Sequence, residues 1–149
     1  MTDGALPLRP AAVADLPMIL RAERAYMRDI EPDQEAGWLN AIDRNLEAWI
    51  ANLARTAVVH DADTPVGYAM WTPAGDDALL MTVHVSPSRR RRRIGAHLMD
   101  WYAEDAARAG HRVLTLGVHR DNPARALYES RGYERTHSDG DYLMYRRTV

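Results

Sequence analysis

"VHVSPSRRRRRIGAHLM", residues 83–99, decides how this chain is read. An apolar strand pattern runs into Pro87, five arginines follow from Arg89 to Arg93, and Gly95 then opens an apolar helical pattern. The order is strand, tight loop and helix. A helix N-terminus presents unpaired backbone N–H groups and the positive end of the helix dipole, which suits phosphate. Gly95 permits close backbone approach, Ala96 adds little bulk, and arginines carry forked donors matched to phosphate oxygens. The junction therefore suits a ligand bearing a diphosphate. The plainer alternative is a solvated basic loop, in contact with RNA or with nothing. RNA modules usually stack bases on exposed aromatics, and no aromatic is interleaved with this run.

The rest of the chain frames the junction. Its 149 residues suit one domain, 1–149, around one core. The formal net charge of −2 lacks the domain-wide basic excess of a nucleic-acid binder, so no nucleic-acid partner is expected. All 19 cationic side chains are arginines, which removes lysine Schiff-base chemistry. The absence of phenylalanine and the abundance of alanine, aspartate and arginine suggest a GC-rich bacterial genome. There is no cysteine, which excludes disulfides, thiolate metal sites and a cysteine nucleophile; no metal is expected. No apolar run approaches the roughly 20 residues of a membrane-spanning helix, and "MTDGALPLRP" lacks a signal-peptide pattern. A cytoplasmic protein without a membrane partner is the simplest expectation.

Periodicity orders the elements. "ALPLRP" reads as a first strand. "VADLPMILRAERAYMRDI" reads as a helix with Asp15 as N-cap, Pro17 in its first turn, and Leu16, Ile19, Leu20, Glu23 and Met27 at helical spacing. After the acidic break "EPDQEAG", Trp38, Leu39, Ile42, Leu46, Trp49, Ile50 and Leu53 form one stripe, predicting a single second helix that ends near Arg55. "TAVVHDADTPVGYAMWTP" predicts a hairpin and "ALLMTVHVSP" a longer strand. A helix over about 93–109, stopped by Gly110, a strand "HRVLTLGV" and a short helix "NPARALYES" follow. Two strands, "GYERT" and "DYLMYRR", close the chain around a turn "HSDG". The order β-α-α-β-β-β-α-β-α-β-β implies an α/β (α+β) fold with helices on both faces of a mixed sheet.

With that order, two segments resemble the GCN5-related N-acetyltransferase (GNAT) family. The first is the opening stretch. The family pattern is a strand ending Val-x-Pro, then Arg/Gln-x-x-Gly-x-Gly/Ala at a helix start. Arg90 takes the first position, Gly95 the last, and Arg93 stands where the family most often has a glycine. At Arg93 an ordinary backbone conformation is expected. The second is "GVHRDNPARALYESRGYE", similar to the family's strand–Asn-x-x-Ala-x-x-Leu-Tyr-x-x-x-Gly-Phe segment. Asn122, Leu127, Tyr128 and Gly132 fit, Tyr133 replaces phenylalanine, and the helix start is one residue short, with Ala124 as the small residue.

The resemblance implies the GNAT acyl-CoA N-acyltransferase fold, with a mostly antiparallel sheet of six to seven strands and about four helices. It implies acetyl-CoA as co-substrate and N-acetylation of a primary amine of a small molecule or peptide. The amides of Arg91, Arg92, Arg93, Ile94, Gly95 and Ala96 would cradle the diphosphate, with arginine side chains, Arg90 included, adding contacts. Asn122 and Ala124 would also lie along the coenzyme. The strand residues Val83, His84 and Val85 would lie along the acetyl group and pantetheine, with a backbone N–H, that of Val85, polarising the thioester. Tyr128 would serve the departing sulfur. Dimers are common in the family, which leaves a homodimer open.

The base is less determined. No glutamate lies on "ALLMTVHVSP", where many relatives carry one. His84 is there, facing opposite to Val83 and Val85. His119 is a second candidate, and deprotonation through water a third. The acceptor is expected beside "YMRDIEPDQEAGW", where Asp29, Glu31, Asp33 and Glu35, near Tyr26 and Trp38, either steer a cationic amine or form a solvated surface. Trp71 either lines the acceptor pocket or packs in the core. Two other functions stay open: a non-catalytic acyl-CoA-binding or sensor module, and an RNA-contacting module.

Overall fold

The computed structural model describes residues 6–89 and 93–149. Strand β1 (Leu8–Pro10) leads through a one-turn 3₁₀ helix into α1 (Leu16–Ile30). Helices α2 (Glu35–Asn40) and α3 (Ile42–Ala51) precede a meander of β2 (Thr56–Asp61), β3 (Thr64–Ala74) and β4 (Asp77–Val85). Helix α4 (Ile94–Arg108), strand β5 (Val113–His119), helix α5 (Arg125–Ser130) and the hairpin β6 (Glu134–Asp139) and β7 (Tyr142–Thr148) complete the chain. The seven strands form one sheet in the order β1-β2-β3-β4-β5-β7-β6. Every neighbouring pair is antiparallel except β4 and β5.

Three elements differ from the sequence expectation. The predicted second helix is two helices, interrupted at Ala41, whose backbone leaves the helical region (φ −102°, ψ 15°). Asn45 donates its side-chain amide to the Trp38 carbonyl across the break (3.4 Å). Trp38, Ile42, Leu46 and Trp49 still pack inward, but Leu39 and Ile50 of the same stripe are exposed. The "HSDG" turn is only Gly140–Asp141, because β6 continues through Asp139, with its register shifting between Arg135 and His137. Asp15 holds the N-cap position of α1, but its side chain makes no capping hydrogen bond to that helix. It is the last residue of the 3₁₀ turn, accepts the Ala12 N–H (2.8 Å) and forms a two-pronged pair with Arg9 (2.7 and 2.8 Å).

The sheet buries both faces. On one, Val59, Ala69, Trp71 and Leu80 pack against Leu98, Met99 and Tyr102 of α4. Trp71 is 1% exposed and donates its indole N–H to Asp105 (2.9 Å), so it belongs to the core rather than to a pocket wall. On the other face, Val58, Tyr68 and Met70 meet Ile19 of α1 and Trp49 of α3. Gly67 lies on the α4 face of β3, where a Cβ would stand 2.7 Å from the His84 carbonyl oxygen and 3.4 Å from Leu98.

Two stability predictions follow from these contacts. Gly67→Ala forces the β3–β4 pair and α4 apart and should cost about 1–3 kcal/mol, read from chemical denaturation. The Arg9 guanidinium holds the Asp15 carboxyl below its ordinary range, chiefly through the hydrogen bond. A lowered carboxylate pKa contributes stability above the unfolded value and loses it as pH falls through the folded value. Because Arg9 is 39% exposed, solvent screens the pair. Asp15→Asn should therefore cost about 1 kcal/mol at neutral pH, and the gap to wild type should close as pH falls below about 4.

Candidate active site

The two strands at the centre of the sheet part company. Strand β4 pairs with β5 only through Ala78–Leu80 and Leu114–Leu116. Beyond Leu80, β4 stays with β3 as far as Val85, while Gly117–His119 of β5 stay with β7. A wedge opens between residues 81–85 and 117–119. Its two edges are backbone, so an extended amide-bearing chain could enter as an added strand.

A β-bulge sets which side chains flank the wedge. Trp71 pairs with Leu80 and Met70 with Thr82, leaving Met81 as the extra residue. Leu80 faces α4, Met81 packs with the α1 cluster, and Thr82 also reaches α1. The bulge therefore reverses the alternation beyond it. Val83 and Val85 pack with the α4 cluster, while His84 stands on the α1 face with its ring 5.3 Å from that of Tyr68.

At the wide end of the wedge stands the N-terminus of α4. His97 bonds back to the Arg93 carbonyl (3.1 Å), and among the described residues no side chain caps the end. The N–H groups of Ile94, Gly95 and Ala96 have no intrahelical acceptor. Arg90, Arg91 and Arg92 lie outside the described residues. Arg93 overturns the expectation of an ordinary backbone: it is left-handed, φ 62° and ψ 17°. It thus takes the conformation that a glycine would supply, with its side chain retained. Arg89 pairs with Asp61 at the end of β2 (3.1 Å).

The two sequence motifs meet at Gly95. A Cβ there would be 3.0 Å from Leu127 of α5 and 3.9 Å from Val85. The missing side chain lets α5 close against the start of α4. Asn122 accepts the Ala124 N–H (2.9 Å) and so fixes the turn into α5, with Ala124 at its N-cap. The Asn122 amide also faces the Tyr26 phenol (3.5 Å). Tyr128 is 6% exposed, and its phenol has no hydrogen-bond partner among the described residues. Burial pushes its pKa well up, with Tyr133 adding a smaller push, so it stays protonated at neutral pH.

The α1 side of the wedge carries the carboxylates. Glu23 accepts the hydroxyls of Tyr68 (2.6 Å) and Thr82 (2.7 Å), both on Oε2. Burial raises its pKa above the ordinary glutamate value, partly offset by those two donors, and nearby Glu31 raises it further. Glu31 is 6% exposed, not part of a solvated acidic surface. It accepts a hydrogen bond from Tyr142 of β7, and after burial it is the main cause of the raised pKa of the Tyr26 phenol. The Tyr142 phenol is pushed up to about 12 by burial and by Glu31. Asp29 and Asp33 are exposed, and Glu35 pairs with Arg28 (3.6 Å). His119, at the end of β5, lies edge-on to Tyr142 (5.5 Å), and its Nδ1 accepts the Asp121 N–H (3.1 Å). The sequence reading missed Glu23 as a site residue. The signal was present, because a glutamate four residues from both Ile19 and Met27 lies in register with a buried stripe.

With this geometry in view, the comparisons are specific. The model of the acetyltransferase (GNAT) family matches residues 20–133, and the chain belongs to that family. No curated protein matches the sequence. Among solved structures, PaiA N-acetyltransferase from Thermoplasma acidophilum, in complex with coenzyme A, superposes with a TM-score of 0.82 at 16% identity, covering 97% of this chain and 99% of its own. A GCN5-related N-acetyltransferase from Rhodopseudomonas palustris gives 0.78 at 22% identity, covering 100% and 99%. N-acetylglutamate synthase from Neisseria gonorrhoeae, complexed with coenzyme A and N-acetylglutamate, gives 0.74 at 15% identity, covering 99% of this chain and 36% of its own. At these identities the likeness is one of fold. Among the described residues no helix is long and apolar enough to cross a membrane.

The left-handed Arg93 generates a direct test. The conformation costs a non-glycine residue about 1–2 kcal/mol, and Arg93→Gly removes that strain while loosening the unfolded chain by about 0.4–1 kcal/mol. The variant should melt slightly higher than wild type in the absence of ligand, measured by calorimetry.

Proposed function

We propose that this chain, acting as one domain, moves the acetyl group of acetyl-CoA to a primary amine of a small molecule or peptide. The amine attacks directly, with both substrates bound. The observation that carries the reading is the wedge between β4 and β5, with an uncapped helix N-terminus at one side and buried carboxylates at the other. The first suits the polar length of a coenzyme with a diphosphate, the second a cationic acceptor. The coenzyme A complexes of the PaiA N-acetyltransferase and of N-acetylglutamate synthase support the choice of donor.

The residues divide by side. The amides of Arg93, Ile94, Gly95 and Ala96 hold the diphosphate, joined by Arg90, Arg91 and Arg92, and the close fit of Leu127 against Gly95 keeps that end of the helix clear of bulk. The β4 backbone at Val83 and Val85 pairs with the pantetheine and polarises the thioester carbonyl. Asn122 and Ala124 shape the opposite wall. Tyr128, held protonated by burial, meets the departing sulfur as an O–H donor. His84 lies on the face from which the amine arrives. The acetyl group supplies the electrophile, and the protein supplies alignment, a polarised carbonyl and a path for protons.

A thiol-release assay with acetyl-CoA and a panel of alkylamines, polyamines, amino acids and peptides tests the reading. Turnover with at least one amine is expected. Acetyl-CoA binding without thiol release across the panel would instead make the chain a sensor module. Tyr128→Phe should lower kcat by about 100-fold while leaving acetyl-CoA affinity by calorimetry unchanged. An unaltered kcat would reject the assigned role.

A further inference from the structure

We propose that Glu23, reaching β4 from α1, is the base that takes the proton of the acceptor amine. The inference rests on the acetyltransferase reading above. The strand Asp77–Val85 carries no glutamate of its own. The carboxylate comes instead from the neighbouring helix and arrives at the same strand. Its Oε2 is 2.7 Å from Thr82 Oγ1, one residue before Val83, where β4 has already left β5. The bulge at Met81 is what turns Thr82 and His84 toward α1 and so brings the strand's open segment to this carboxylate.

The local chemistry fits a proton acceptor better than a plain tie between helix and sheet. Both hydroxyl donors go to Oε2, and Oε1 has no hydrogen-bond partner among the described residues. A tie needs only the first oxygen. The second is left to meet a substrate or a water. The groups that face the carboxylate include Tyr68 from β3 and Thr82 from β4, with the His84 ring beside Tyr68 and Glu31 near enough to act on its charge. Among these described neighbours Glu31 is the one acidic group, and it opposes ionisation of Glu23. Burial acts in the same direction, which strengthens the carboxylate as a base. An arriving ammonium between Glu23 and Glu31 would favour the anion of each.

The protons balance as follows. The acceptor ammonium gives one proton to Glu23, and its nitrogen lone pair forms the new N–C bond to the acetyl carbon. The C–S bond breaks, and the electron pair leaves on sulfur. The second nitrogen proton ends on the thiol through Tyr128, and Glu23 returns its proton to solvent. The products are the amide, the free thiol and one proton.

The test uses Glu23→Gln, whose amide oxygen can still accept both hydroxyls, with the best amine of the panel. The expected result is a fall in kcat of about 100-fold or more with acetyl-CoA affinity and melting temperature held. The ascending limb of kcat/KM against pH assigned to this group should be lost. A fluorinated analogue of the same amine, with a lower ammonium pKa, should recover much of the rate, which a purely structural role would not produce. As a readout apart from activity, ¹³C NMR of labelled glutamate carboxyls should show one group titrating above the ordinary range in wild type and absent in Glu23→Gln. If Glu23→Gln does not fold, Thr82→Val removes one donor to the anion and should move the limb to higher pH. Wild-type turnover with an unchanged rate and limb in the folded Gln variant, or with an unmoved limb in Thr82→Val, overturns the proposal alone. Loss of the limb in His84→Ala but not in Glu23→Gln gives the base to His84 and also overturns it. Absence of turnover by wild type overturns the transferase reading and this proposal together.

Discussion

The short parallel contact between β4 and β5 is the constraint on which the rest depends. Three residue pairs join the strands, and then each follows a different antiparallel neighbour. A sheet that parts in this way leaves backbone edges facing each other across a gap. Such edges are normally a liability, because unpaired strand groups invite another chain. Here the gap is bounded by helices, so what can enter is narrow and must offer amide-like partners. The same parting brings the end of β4 to the start of α4, which is why the two sequence motifs share one site.

The site is divided electrically by the sheet. On the α4 side, the helix end gathers unpaired N–H groups, with an arginine-rich loop before it. On the α1 side, Glu23 and Glu31 are held by hydroxyls rather than by cations. Hydroxyl donors satisfy a carboxylate without cancelling its charge, which keeps that side attractive to an ammonium. The nearly neutral net charge of −2 conceals this separation.

Arg93 carries the other local cost. A left-handed arginine at the start of α4 is strained, where a glycine in the same conformation would not be. Strain of this kind persists only where the surroundings hold it. Gly95, two residues on, keeps the open space on which the Leu127 contact depends. The loop thus carries an arginine at its left-handed position and a glycine where packing requires one.

The sequence by itself determined the element order, the family motifs and the position of the strand–loop–helix junction, because these are written in local periodicity, Pro87 and Gly95. What it says of Tyr128 and Asn122 came through the family resemblance rather than through periodicity. It could not show that the second helix breaks at Ala41, since the apolar stripe is continuous across the break. Nor could it show the left-handed φ of Arg93, because an arginine has no local preference for that conformation. Above all, it could not say which face of β4 carries Thr82 and His84. Strict alternation from Leu80 puts them toward α4, and the single extra residue at Met81 puts them toward α1. A bulge is a property of two paired strands, with no signature in either one alone. That displacement, decided only on pairing, is what brings Glu23 of α1 to the edge of the wedge.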